Sequence, residues 1–219
     1  VDLLDRPVAG AVVEPDVEHS QSIGEHRNDP PVDDPVPERH RLDGTVYAVS
    51  PDGRGSAGPC LRRTLKTQRG YGVVVPPEHV PVNRGAPADD GVYVTDLASG
   101  ASRLLISIGE IFESAFPAST RDLYRGGDFY CFHVKWNPQG TRLLLVLRWI
   151  PRTLLPWRRK KSHRRLNVIT MDADGGNPRI AVTDTQWRKG GNHPNWCPDG
   201  EHVLVTVADG QPIPKVIDF

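Results

Sequence analysis

From Gly91 onward the chain is a succession of short apolar runs separated by turn residues. Residues 92–97 (Val-Tyr-Val-Thr-Asp-Leu) predict a strand, Ser99-Gly100 a turn, and residues 103–106 (Arg-Leu-Leu-Ile) a second strand, so a hairpin is expected. Ser107 followed three residues later by Glu110 has the spacing of a capping box. Placed ahead of Ile108, Ile111, Phe112 and Ala115, it predicts one short helix that Pro117 closes. Another strand is expected over 130–136, a turn at Asn137-Pro138-Gln139-Gly140, and a strand over 143–149. The five apolar residues 143–147 do not alternate with polar ones, so both faces of that strand should be covered. Residues 166–171 and 179–182 flank the turn Asp174-Gly175-Gly176, and residues 193–196 and 203–207 flank Pro198-Asp199-Gly200. Each pair reads as a further hairpin.

These hairpins repeat. His133-Val-Lys-Trp136-Asn-Pro138-Gln-Gly140, then Leu143-Leu144-Leu145, aligns with His193-Pro-Asn-Trp196-Cys-Pro198-Asp-Gly200, then Val203-Leu204-Val205, at a constant offset of 60 residues. Residues 167–176 match residues 91–100 more loosely, and Tyr47-Ala-Val-Ser-Pro51-Asp52-Gly53 offers a third copy of the turn. Each unit then holds two hairpins, and four-stranded units repeated around an axis build a propeller. The W-x-P-D-G turn at Trp196–Gly200 and the later Asp172-x-Asp174-Gly-Gly resemble the TolB-like, WD40-like propeller repeats that carry a Ser-Pro-Asp-Gly turn, the PD40 type. The resemblance spans residues 91–207; Asn137 and Cys197 stand where Ser is usual, and Gln139 where Asp is usual. It implies an all-β chain whose residues 46–219 form a partial β-propeller of four-stranded antiparallel blades, about two and a half of them, with one short helix inserted. A closed ring needs at least about four blades. The chain, which begins at Val1, therefore reads as a piece of a longer protein.

At 219 residues the length suits one domain, and 21 Gly with 21 Pro favour turns over long helices. Charge changes the picture only locally, because 27 basic residues balance 27 acidic ones. Residues 1–45 carry eleven acids against four Arg, six prolines and no aromatic residue, so they are expected to form a poorly ordered segment with little to bury. Three cysteines without a C-x-x-C pair give neither a disulfide framework nor a zinc ribbon. The longest apolar run has five residues with Arg on both sides, too short for a membrane span. No signal-peptide pattern opens the sequence, which leaves periplasm and cytoplasm both open.

Candidate chemistry centres on His133 and His193, equivalent residues three positions before the Trp of each repeat. If they stand at one level near an axis, neighbouring units can bring both imidazoles to one divalent ion, Zn or Mn, with a third ligand from Gln186, Asn192, Asn195 or another blade. The arrangement also resembles oligogalacturonate lyase, a propeller enzyme whose metal is held by histidines and a glutamine. That resemblance implies His133 and His193 as metal ligands, although Gly190 stands where the glutamine is expected. Cys131 and Cys197 lie two and four residues from these histidines, a spacing that puts a mixed Cys and His zinc site within reach on an alternating strand. A second candidate is the basic stretch Arg152, Arg158, Arg159, Lys160, Lys161, Arg164 and Arg165, with Trp157 among them. It reads as a rim loop for a polyanion such as a polyuronate, nucleic acid without specific recognition, or the chain's own acidic segment. Phosphate-loop and common hydrolase signatures are absent. The expected function is a binding or interaction scaffold with a carbohydrate or protein partner; the alternative is a metal-dependent polysaccharide lyase.

Overall fold

A computed structural model describes residues 41–68, 70–152, 164–206 and 215–217. They form strands β1 (Ala48–Val49), β2 (Gly55–Pro59), β3 (Gly91–Asp96), β4 (Ser102–Ser107), β5 (Gly127–Trp136), β6 (Arg142–Pro151), β7 (Arg165–Asp172), β8 (Arg179–Val182), β9 (Asn192–Trp196), β10 (Val203–Thr206) and β11 (Lys215–Ile217). Four short α-helices join them: α1 (Leu61–Thr67), α2 (Ile108–Ala115), α3 (Ala118–Arg121) and α4 (Asp184–Trp187). The strands make three sheets in the orders β1-β2-β3-β4, β5-β6-β7-β8 and β9-β10-β11. Every pairing between these strands is antiparallel. The chain is thus mostly β, built from antiparallel sheets of which two have four strands.

The apolar run of β6 shows why three sheets pack together. Leu143, Leu145 and Leu147 point into a core shared with Ala57, Val92 and Ile106 of the first sheet and Ile108 and Ile111 of α2. Leu144 points the other way, to Val168, Val182, Trp196, Val203 and Val205. Both faces of the strand are covered, as the unbroken run requires. Each fully buried leucine contributes about 1.5–3 kcal/mol of transfer free energy, which anchors the middle sheet from both sides.

The repeated turns share one geometry. Gly53, Gly140 and Gly200 have φ of 72°, 71° and 74°. Their amides donate to the carbonyls of Ser50, Asn137 and Cys197 at 2.9, 3.0 and 2.9 Å. The third copy at residues 50–53 closes the β1–β2 hairpin in the same way, even though β2 (Gly-Ser-Ala-Gly-Pro) lacks the apolar character of β6 and β10. The Trp residues tie repeat to repeat. Trp136 Nε1 donates to the carbonyl of Ala48 at 3.0 Å, and Trp196 Nε1 donates to the carbonyl of Lys135 at 3.3 Å. Ala48 and Lys135 occupy the same place in successive copies, one residue before Val49 and Trp136 respectively.

The capping box at α2 is formed, with Ser107 Oγ accepting from the Glu110 amide at 3.1 Å and Glu110 Oε2 accepting from the Ser107 amide at 2.8 Å. One inserted helix was too few: α1, α3 and α4 are additional. Helix α4 carries its own capping box between Thr183 and Gln186, the same S/T-x-x-E/Q signal in a shorter element. Helix α1 has no side-chain cap, so nothing local announces it. The strand expected to start at residue 130 starts at Gly127, where a Cβ would lie 2.1 Å from the Trp149 ring. No helix among the described residues is long and apolar enough to cross a membrane.

Candidate binding site at the repeated histidines

His133 and His193 adopt left-handed backbone conformations, φ 52° and 49°, a region few residues other than Gly, Asn and Asp occupy. The cause is a bulge. Phe132 pairs with Val146 and Lys135 with Leu144, so His133 and Val134 together oppose Leu145. In the last sheet Asn192 pairs with Thr206 and Asn195 with Leu204, so His193 and Pro194 together oppose Val205. An inserted residue bends a strand and re-aims its side chain. It also breaks the simple alternation that would put Cys131 and His133 on one face: Cys131 and Val134 lie in the core toward the first sheet, whereas Phe132 and His133 line a cavity.

That cavity, about 140 Å³, is where three parts of the fold meet. Phe132, His133 and Arg148 come from the middle sheet, Asn192 and His193 from β9, and Gln68 and Tyr71 from the chain after α1, with Trp187 at the end of α4. The two histidines therefore share one cavity, as their register suggested. The Tyr47 hydroxyl lies 3.1 Å from His133 Nδ1 in a hydrogen bond. The Tyr71 ring stands edge-on to Phe132 and His133, with centroids 5.2 and 5.9 Å away. Arg148 lays its guanidinium carbon 4.4 Å over the Phe132 ring and donates from Nη1 to the Thr67 carbonyl at 3.1 Å and to Gln68 Oε1 at 2.8 Å. Lys135 Nζ donates to the Pro194 carbonyl at 2.9 Å, across to β9.

The electrostatics are one-sided. Burial, reinforced by the charges of Lys135, Arg148 and His193, drives His133 down to about 4, so its imidazole is neutral at physiological pH. Burial also lowers Lys135, and burial with the nearby charge of Arg164 lowers Arg148 to about 10. Among the described residues, no carboxylate lines the cavity. Among the described residues, no three His, Cys, Asp or Glu side chains come together to hold a metal ion. Of the side chains considered as a third ligand, Gln186 is held in the α4 capping box, Asn195 lines a different cleft with Trp196, and Asn192 reaches the cavity but accepts from the His193 amide at 2.9 Å. The two imidazoles thus lie near two cations, Lys135 and Arg148.

The basic stretch divides. Arg158, Arg159, Lys160 and Lys161 lie outside the described residues, as does Trp157. The stretch does join β6 to β7, the second and third strands of the middle sheet. Arg152 pairs with Asp128 at 3.1 Å, and Arg165 pairs with Asp184 at 2.8 Å while lying over the Tyr124 and Trp149 rings. Both are engaged in ion pairs with carboxylates of the fold. Sequence reasoning also missed Arg148, Tyr71 and Trp187. Arg148 left a trace, a guanidinium inside a strand buried on both faces, and such a charge needs a reason. Tyr71 and Trp187 left none, because nothing local places them beside β5 or β9.

A larger cleft of about 550 Å³ lies between the first and middle sheets, against Trp136. Its carboxylates are used in turns: Asp52 accepts from the Arg54 amide and the Ser50 hydroxyl, and Asp96 from the amides of Ala98 and Ser99. In comparison with known proteins, the chain matches no protein-family model and no curated protein.

Proposed function

We propose that the chain is part of a TolB-like β-propeller that acts as a binding scaffold, with a carbohydrate as its ligand at the His133 and His193 cavity. The observation that carries this reading is the equivalent tryptophan bond that joins each repeat to the one before it. Trp136 reaches back to Ala48 as Trp196 reaches back to Lys135, so the two junctions share one equivalent hydrogen bond. A unit that repeats one relation to its predecessor generates a radial array when the rotation closes, as in a propeller. Val49 holds the place of the Trp in the first copy and is 49% exposed, which suits a unit whose preceding neighbour is not among those described. Tyr71 and Trp187 supply aromatic faces beside polar Gln68 and Asn192, the mixture a sugar needs.

The alternative, a metal-dependent polysaccharide lyase, would hold its ion on His133 and His193, and the charges of Arg148 and Lys135 weigh against it. Calorimetric titration of the full chain with oligogalacturonate and with a neutral oligosaccharide tests the scaffold reading. Binding that weakens at least tenfold in Trp187→Ala supports it. Absence of binding to either sugar, or binding that depends on added Zn or Mn and is accompanied by chain cleavage, overturns it.

A further inference from the structure

We propose that the cavity at Arg148 is a site for a small oxyanion, a carboxylate or phosphate group, held by the Nε–Nη2 edge of that guanidinium. Arg148 is only 6% exposed, yet none of the ion pairs among the described residues involves it. Its Nη1 is satisfied by Thr67 and Gln68. Its Nε and Nη2 make no hydrogen bond among the described residues, and the side chain lines the cavity. Among the described residues, the sealed and unpartnered side-chain atoms are Arg63 Nε, Asn83 Oδ1 and Asp90 Oδ1, not those of Arg148.

A charge removed from water without a partner is costly, and in folded proteins buried charges are ordinarily paired. The charged neighbour of Arg148, Arg164, adds positive charge rather than offsetting it. The Phe132 ring packs against the guanidinium, whose carbon lies 4.4 Å from the ring centroid. The remaining edge offers two parallel N–H groups, the geometry that carboxylate and phosphate oxygens match bidentately. Size narrows the ligand further. The cavity of about 140 Å³ is well below the roughly 300–1,000 Å³ of pockets that enclose whole small molecules, so it would enclose the anionic group of a ligand whose remainder lies at its mouth. The inference deepens the carbohydrate reading by naming the group such a ligand would present at this cavity, but it does not depend on the sheets closing into a propeller.

The test uses the full chain at matched ionic strength, with melting temperature and calorimetric titration as readouts. Acetate and phosphate are compared with chloride, and galacturonate with galactose. Acetate, phosphate or both are expected to raise the melting temperature above the chloride control, and the stronger of the two identifies the oxyanion. Gln68→Glu places a carboxylate where the amide already meets Arg148. It is expected to raise the melting temperature in chloride and to weaken oxyanion binding at least tenfold. Oxyanions no better than chloride overturn the inference, as does binding that persists undiminished in Gln68→Glu. Equal binding of galactose and galacturonate without any response to acetate or phosphate also overturns it while sparing the carbohydrate reading. Oxyanion binding without binding of either sugar upholds it and removes that reading.

Discussion

His133 is held in a conformation and a protonation state that both oppose its ordinary preferences. The left-handed backbone costs about 1–2 kcal/mol, and burial among cations takes its folded pKa to about 4 from an ordinary 6.5. The sign of the linkage follows. Between those values the unfolded chain binds a proton that the folded chain does not, so stability falls as pH falls from 6.5 toward 4 and is fully restored above 6.5. Partial exposure to solvent reduces the effect to about 1–2 kcal/mol across the window. In His133→Asn the side chain tolerates the left-handed backbone and does not titrate. Urea unfolding of both proteins, near neutrality and near pH 5, should show the wild type losing about 1 kcal/mol more than the variant. Equal losses would mean that His133 binds its proton alike in both states. The pairing of His133 with His193 was legible because the repeat keeps their register, but the face each imidazole takes was not. An extra residue in the ladder is invisible to period-2 reasoning, and that is why Cys131 and His133 part company.

Elements were most legible where turn chemistry bounded them. The Pro and Gly of the turns at residues 137–140 and 197–200 fixed two hairpins, and Ser107 with Glu110 fixed α2. The short α4 shows the same capping signal at Thr183 and Gln186, but four residues leave no room for a 3.6-residue apolar period to support it. Strand β2 is hard to read for the opposite reason: its residues Gly-Ser-Ala-Gly-Pro have weak strand propensity, and pairing with both β1 and β3 overrides it. The two repeated tryptophans are equivalent in hydrogen bonding but not in burial. Trp196 is 7% exposed within the second core, whereas Trp136 is partly buried and lines the 550 Å³ cleft. Trp196→Ala should therefore cost about 3–5 kcal/mol in chemical denaturation. Trp136→Ala should cost clearly less. Equal losses would show that the indole hydrogen bond, rather than the packed area, sets the contribution of these residues.

At the scale of the whole molecule, the alternating directions of β6 divide the core into two. Leu145 belongs to the cluster that joins the middle sheet to β1–β4 and α2; Leu144, its neighbour in sequence, belongs to the cluster that joins it to β9 and β10. Further links to the last sheet run through the turns, where Asn137 Nδ2 donates to the Gly200 carbonyl at 3.2 Å and Gln139 Nε2 to the Asp199 carbonyl at 2.9 Å. Those turn bonds are few and partly exposed, so the apolar contact through Leu144 and Trp196 should dominate that junction. Local opening is cheapest where buried apolar contacts are fewest. Each leucine truncation should cost about 2–5 kcal/mol overall, and the two should differ in where the loss is felt. In amide hydrogen exchange, Leu144→Ala should accelerate exchange chiefly in residues 192–206, and Leu145→Ala chiefly in residues 91–107, with the central pairing of β6 and β7 protected longest in both. Identical exchange patterns in the two variants would show that the sheets open as one cooperative unit and that the two faces of β6 are not energetically separate.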